Sequence, residues 1–497
     1  MDSLGEETWD TVICGTGLSQ SLLALALSRS KKRILHLDPN DFYGEHEAAL
    51  SLQEADSWAR AHASPGNILQ LENQPTPSKQ DPDKLIAQVS DAADRSSEEP
   101  NLVDAAKSAT VDILSGIDGN IFRNAHVWKH PNAEAQGLSF PRAYSLALAP
   151  QIIHTKSRLL SQLVLSKAYR QIEFLAVGSF FIYSTVGSVP GARLARIPSS
   201  REDVFSAQSI PARSKRKLMK FLKFVIDYDS DEHKPIWQEK ADQPLSAYLV
   251  DEFNLDKNLG DSILALTLCL DGNVTVKDGL ATVHRHLTSI GLFGPGFCAV
   301  YPKWGGMSEI AQTCSATSQA IARLVAIIDS PLQSLFETLA EGAPTPAVAM
   351  VAFPSGSLSD DSQPSSGVPV YAFVHSSDTG ECPSGQSVVY LTMQATPLSS
   401  HALDSALIAL LQAVMPTAAI LYKLYYEQAI TARNSSVTSQ SGAIVFEFPS
   451  PSLGLAYDDE SLDAVKEAWR LVMKDEASDD SFMQFEDREG LGDDDDD

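Results

Sequence analysis

The residues best placed to do chemistry come early in the chain. Gly15-Thr16-Gly17 follows the apolar run Thr11-Val12-Ile13-Cys14 and leads into a second apolar run, Leu22–Leu27. Glycines at this spacing permit the tight turn of a dinucleotide-binding loop, with a helix N-terminus facing a pyrophosphate. Asp38 ends the next β-type run, Arg33–Leu37, where an acid can hold a ribose hydroxyl. The fingerprint is incomplete, because Gln20 stands where a residue small enough for close helix–strand packing is needed. Gly15, Gly17 and Asp38 therefore mark a βαβ fold more firmly than a bound cofactor, since folds outlast the sites grafted on them. His375, Ser376 and Asp378 form a second set with catalytic chemistry. All three fall on one turn, where they cannot converge as nucleophile, base and acid, so a triad is rejected. Cys14, Cys269, Cys298, Cys314 and Cys382 are scattered without a CxxC pair. That spacing argues against a zinc site or a disulfide framework and for reduced thiols.

Composition narrows the function classes. At 497 residues the chain is long enough for two or more domains and a large core. Its net charge of −26 excludes a basic nucleic-acid groove. The last 24 residues hold twelve acids and two bases and end in five Asp, which reads as a solvated, disordered tail. No secretory leader is recognised, and no run reaches the ~18 apolar residues of a spanning helix. A soluble, cytoplasmic protein is expected.

The elements that must position these residues follow in order. Pro39–Glu45 is a turn-rich loop with adjacent Phe42 and Tyr43. The simplest reading packs both rings on the domain edge; the alternative is a contact loop beside the nucleotide turn. From about Glu54 to Asp104 the chain turns to Ser, Pro, Asp, Glu and Gln and reads as a disordered insertion. Leu159, Leu160, Leu163 and Val164 recur at helical spacing, and Ile172–Val177 and Phe180–Tyr183 read as two strands broken near Gly178. In Arg213–Tyr228 a basic set (Arg213, Lys215, Arg216, Lys217, Lys220, Lys223) shares a helix with Leu218, Phe221 and Phe224. It is either the solvated face of a core helix or a surface for an acidic partner or a membrane. Tyr301-Pro302-Lys303-Trp304-Gly305-Gly306 is a rigid loop that offers an aromatic to a partner. The last third alternates strands and turns around one helix, Ala402–Met415.

Several motifs in one order carry a resemblance. Asp10-x-Val12-Ile13-x-Gly15-Thr16-Gly17-Leu18, His36-Leu37-Asp38-x-Asn40, Phe42-Tyr43-Gly44, Arg142–Tyr228 with Gly178-Ser179-Phe180, Tyr301–Gly305 and Glu309-Ile310-x-Gln312 are similar to the Rab GDP-dissociation inhibitor and Rab escort protein superfamily. The segment Val374–Pro383 and the insertion at 54–104 resemble fungal-type escort proteins within it. The resemblance implies an α/β (α+β) fold: a FAD/NAD(P)-binding Rossmann-like large domain with an inserted smaller, mainly helical domain. The chain then divides into 1–53 and 105–154 (large domain), 54–104 (disordered insertion), 155–270 (helical, its strands 172–198 joining the large domain), 271–445 (rest of the large domain) and 446–497 (C-terminal extension with the acidic tail). After Gln312 the chain passes directly to Ala322–Ala326, which resembles a later point in the family, so the large domain is read as shortened there.

What the resemblance implies for function is an escort without catalytic residues, cofactor or metal. Such a protein binds GDP-bound Rab GTPases, presents them to the Rab geranylgeranyltransferase alpha/beta heterodimer, holds the geranylgeranyl lipid, and delivers prenylated Rab through transient membrane contact. Tyr43, Gly44, Trp304, Gly305, Glu309 and Gln312 then lie on the Rab platform, and Lys217, Lys220, Phe221 and Phe224 on a transferase or lipid face. Two alternatives stay open: an FAD-dependent oxidoreductase built on Gly15, Gly17 and Asp38, and a GDP-dissociation inhibitor acting only in Rab recycling.

Overall fold

The computed structural model describes residues 8–38, 40, 42–44, 47–64, 122–165, 172–184, 194–198, 204, 205, 207, 210–270, 272–294, 296–303, 318–338, 343–358, 367–431, 435–440, 443–448, 455–457 and 459–483. The first elements form as their pattern dictates. Strand β1 (Thr11–Cys14), helix α1 (Leu18–Arg29) and strand β2 (Ile34–Leu37) make a βαβ unit, with β1 parallel to β2 and Thr11 opposite Ile34. Gly15 makes the turn at φ +97°, a value that costs a side-chain-bearing residue. Helix α1 buries Leu18, Leu22, Leu23, Ala26 and Leu27.

Strand β3 (Ala49–Leu50) then enters helix α2 (Leu52–Ala61), which corrects the disordered insertion expected from Glu54. Ser51 and Glu54 close a capping box: Glu54 N donates to Ser51 Oγ at 3.4 Å, and Ser51 N donates to Glu54 Oε2 at 2.8 Å. Leu52, Ala55, Trp58 and Ala59 share the buried face. Trp58 meets Phe122 and Tyr426 edge-on, at 4.9 and 5.1 Å between centroids. A window rich in polar residues hid four apolar positions at helical spacing. The remainder of the expected insertion, residues 65–104, lies outside the described residues.

Next come strands β4 (Phe122–Lys129), β5 (Leu146–Ala147, antiparallel to β3) and β6 (Ile153–His154), helix α3 (Arg158–Leu165), and strands β7 (Phe174–Tyr183) and β8 (Leu194–Arg196). Strand β7 is continuous, where two strands broken near Gly178 were expected. A Cβ at Gly178 would meet Pro346 Cβ at 2.5 Å. The glycine is there for close approach of a neighbouring chain, not for a turn.

Among the described residues the smaller unit is built from helices α4 (Ala212–Ile226), α5 (Lys234–Gln238), α6 (Leu245–Phe253), α7 (Lys257–Leu266) and α8 (Val276–Ser289). Asp256 caps α7 by accepting from Leu259 N at 3.1 Å, and Thr275 caps α8 by accepting from Asp278 N at 3.1 Å. Their core joins Leu218, Phe221, Val225, Leu249, Leu280 and Val283. The expected domain limits of 155–270 therefore shift. Helix α3 packs in the core of α1, and α8 packs in the helical unit.

The rest of the chain supplies strands β9 (Ala299–Pro302), β10 (Ser318–Ile328), β11 (Val348–Phe353), β12 (Val370–Ser376) and β13 (Ser387–Gln394), helix α9 (Ser399–Val414) and strand β14 (Ile420–Thr431). With earlier strands they form a ten-stranded sheet ordered β4-β14-β10-β13-β12-β11-β7-β9-β6, with β8 beside β7. Within it β7 and β11 run parallel. Alternation along β10 sends Ile321, Val325 and Ile327 to one core and Ala322, Leu324, Ala326 and Ile328 to the other. Helix α9 covers the second core with Leu403, Ala406, Leu407 and Leu410.

A hairpin, β15 (Ser436–Gln440) and β16 (Ala443–Glu447), precedes helix α10 (Glu460–Met473). Helix α10 packs on α1, with Trp469 fully buried and its Nε1 donating to Ser30 Oγ at 3.1 Å. Asp459 accepts from Ser157 Oγ at 2.6 Å and Leu159 N at 3.1 Å, which caps α3 from the other end of the chain. The expected disordered tail from Lys474 is corrected as well. Phe482 and Met483 are core residues, and Asp479 is paired with Arg470 (2.6 Å) and Lys466 (3.2 Å). The acid count concealed these two anchors; residues 484–497 lie outside the described residues. This is an α/β fold with a Rossmann-like βαβ unit, a large mixed sheet and a helical unit.

Candidate functional site

The nucleotide turn uses its polar groups on itself. Gly15 N donates to Leu37 O at 2.7 Å, and His36 Nε2 lies against Gly15 O. Thr16 Oγ1 donates to Asp38 Oδ2, while Asp38 Oδ1 accepts from Asn40 N at 2.8 Å and Asn40 Nδ2 at 3.1 Å. Both carboxylate oxygens are thus engaged by neighbours in the chain, so a ribose diol would have to displace a protein donor to reach this acid. Gln20 is buried, and among the described residues its Oε1 has no hydrogen-bond partner. These residues do not fit a dinucleotide in the way the fingerprint does. Among the described residues no group of three His, Cys, Asp or Glu could hold a metal ion. Among the described residues Cys14, Cys298 and Cys382 are free thiols.

Beside the turn, Phe42 and Tyr43 part company. Phe42 packs against the large core, whereas Tyr43 is 72% exposed. Gly44, at φ +103°, turns the chain back, and its carbonyl accepts from Glu47 N at 2.6 Å. The reading that packed both aromatics holds for Phe42 alone.

Strand β9 delivers the second candidate loop and is anchored from below. Tyr301 is buried and donates its hydroxyl to Glu381 Oε1 at 2.7 Å. Glu381 Oε2 accepts from His375 Nδ1 at 2.7 Å and from Tyr390 OH at 3.1 Å, and Tyr390 OH accepts from Ala147 N at 3.1 Å. Burial, then the Glu381 charge, pushes the Tyr301 and Tyr390 phenols well above their ordinary range, so both stay donors. The carboxylate sits at the centre of three donors in a site closed to water. Sequence reasoning missed this network, because its members converge only through the pairing of β12 with β13 and the approach of β9. Ser376 Oγ instead accepts from Asp378 N at 3.3 Å, so the rejected triad does not form. At the strand's end Lys303 pairs with Glu173 at 2.9 Å. Trp304, Gly305, Glu309 and Gln312, with the junction after Gln312, lie outside the described residues.

The expected transferase or lipid face divides. Phe221 and Phe224 are buried in the helical core, Phe224 against Phe253 at 5.2 Å, so neither is surface. Helical phase explains the correction: both share the face of Leu218 and Val225. Lys217 Nζ donates to Asn254 O at 2.5 Å and closes the end of α6, while Lys220 Nζ lies 5.5 Å from the Phe253 ring centre.

The helical unit meets the sheet at a buried junction. His286 of α8, His154 of β6 and Cys298 come together there, the two rings 5.9 Å apart and Cys298 Sγ 3.6 Å from His286 Nδ1. Burial lowers His154 to about 3 and His286 to about 4, so both are neutral at pH 7. Burial also pushes the Cys298 thiol up to about 12, which removes it as a nucleophile.

Fold and site together define a nucleotide-fold scaffold whose own turn is internally satisfied and whose exposed aromatic stands beside it. A family model described as GDP dissociation inhibitor matches residues 5–70 and 119–336, and the chain belongs to that family. It is 26% identical over 463 residues to the Rab proteins geranylgeranyltransferase component A of Saccharomyces cerevisiae, across 82% of this chain and 65% of that protein. It is 25% identical over 351 residues to Rab escort protein 1 of Arabidopsis thaliana, across 67% and 56% respectively. The chain thus spans less than two thirds of the length of these curated relatives. The crystal structure of Rab GDI from Plasmodium falciparum superposes with a TM-score of 0.56 at 14% identity, covering 93% of this chain and 97% of that one. That likeness is one of fold.

Proposed function

We propose that this chain is a Rab escort protein: it binds GDP-bound Rab, presents it to the geranylgeranyltransferase alpha/beta heterodimer and carries the prenylated product to membranes. The observation that carries the reading is the family match, whose two segments contain both candidate loops, Tyr43 and Tyr301–Gln312. Relatives named for the transferase component or as escort protein support the same role. The work is done by binding. A contact to the folded GTPase tethers its flexible tail, raising the tail's effective concentration at the transferase. Burial of the geranylgeranyl chain adds ~0.8 kcal/mol per CH₂. In this reading the protein is non-catalytic, works in the cytoplasm and touches membranes transiently. Tyr43, Gly44, Trp304, Gly305, Glu309 and Gln312 form the Rab platform, and Lys217 and Lys220 on the outward edge of α4 belong to a transferase or lipid face. A flavin-dependent oxidoreductase finds no support in the turn, where both carboxylate oxygens of Asp38 are already engaged.

Titration of the full chain with unprenylated Rab·GDP tests the proposal. Tyr and Trp are enriched among the few interface residues whose truncation costs about 2 kcal/mol or more. Tyr43→Ala and Trp304→Ala should each weaken binding by roughly 30-fold or more. Unchanged affinity in both variants would remove the platform.

A further inference from the structure

Helix α4 carries a feature that the Rab reading leaves unused. Arg213, Arg216, Lys220 and Lys223 recur at steps of three, four and three residues, all exposed, on the side turned away from Leu218, Phe221 and Val225. Among the described residues, Arg213, Arg216 and Lys223 form no ion pair. Lys220 contacts the Phe253 ring. Of the neighbouring acids, Asp256 caps α7 and accepts from Ser214 Oγ at 3.0 Å, Glu252 pairs with Lys240, and Asp229 pairs with Lys234 at 2.9 Å, while the exposed Asp227, four residues after Lys223, ends the row at the C-cap of α4. An open row of four cations on a chain of net charge −26 is a local reversal of sign. Apolar groups flank it. Ile226 is exposed one turn after Lys223, and Lys215 Nζ holds the Phe205 carbonyl at 2.7 Å, keeping that exposed ring beside the helix.

We propose that this row is a docking surface for an anionic bilayer, with the cations on lipid phosphates and serine carboxylates and the flanking apolar side chains at the headgroup boundary. A flat, repeated row of cations flanked by apolar side chains suits a plane of anionic headgroups. The whole-chain charge repels such a bilayer at a distance. Within one Debye length, about 8 Å at physiological salt, the nearest charges govern. The surface deepens the escort reading by supplying the membrane contact for delivery, and its test omits Rab so that the two can fail separately.

The test is flotation of the full chain with phosphatidylcholine vesicles, with and without about 30% phosphatidylserine, at roughly 0.05 and 0.5 M salt. The wild type is expected to float with the anionic vesicles at low salt and to be released at high salt. Each cation near the surface is worth roughly fivefold in partitioning, so Arg213→Glu/Arg216→Glu should bind about 25-fold more weakly or worse. Lys223→Glu should lose about fivefold or more, with thermal melting and Rab·GDP affinity held at wild-type values in all variants. Absence of lipid-dependent flotation in the wild type overturns the proposal. So does wild-type flotation of the variants, including the case where they lose transferase stimulation instead, which assigns the row to a protein partner.

Discussion

Acid should loosen this protein at a defined place, the junction where His154 and His286 are buried between sheet and helical unit. Both imidazoles are neutral in the fold, held down to about 3 and about 4 by burial. In the unfolded chain each titrates near 6.5. Between those values the unfolded state binds protons that the folded state refuses, so stability falls as the pH falls from about 6.5 toward 4 and is unaffected above about 7. One pH step below 6.5 costs about 1.4 kcal/mol per histidine, hence about 3 kcal/mol for the pair at pH 5.5. The assay is urea unfolding of the wild type and of His154→Leu/His286→Leu at pH 7.5 and 5.5. The variant is less stable at both values, because Phe180 packs edge-on against His286 at 4.9 Å and Leu restores that contact poorly. What matters is the difference in pH dependence, with the wild type losing about 3 kcal/mol more than the variant across the interval. Equal losses in the two proteins would refute the reasoning, as would NMR titration of either histidine near 6.5 in the folded state.

Other substitutions have outcomes as definite. Glu381→Leu strands the Tyr301 and Tyr390 hydroxyls and His375 Nδ1 without an acceptor. It should cost about 3–5 kcal/mol in chemical denaturation, with Glu381→Gln clearly milder. Gly178→Ala drives a Cβ into Pro346 and should destabilise the β7–β11 pairing by about 1–3 kcal/mol. An alanine variant as stable as the wild type would remove the close-approach account of that glycine. Trp469→Ala empties the α1–α10 interface and should cost about 3–5 kcal/mol; a loss under 1 kcal/mol would show that the C-terminal helix is dispensable to that core.

Where the pattern of the chain is strong, the fold could be read from it. The β1–α1–β2 unit and the strands Val348–Phe353, Val370–Ser376 and Ser387–Gln394 announce themselves by apolar runs between turn residues. Composition misled where a few buried residues sit among many polar ones, as with Trp58 in α2 and with Phe482 and Met483 near the acidic end. Gly178 misled because one residue type serves both turns and close packing. Of the candidate site, Tyr43 was legible as a residue but not as an exposed one. Glu381 was not legible at all, since Tyr301, His375 and Tyr390 meet it only through sheet pairing. Phe221 and Phe224 were placed on a surface although their helical phase shared the face of Leu218.

The central claim, that a nucleotide-fold scaffold now presents a GTPase, is tested most directly by reconstituted geranylgeranyl transfer. Unprenylated Rab·GDP, the purified transferase heterodimer and labelled geranylgeranyl diphosphate are combined with and without this chain. Label should enter Rab only when the chain is present. Equal incorporation without it would contradict the account.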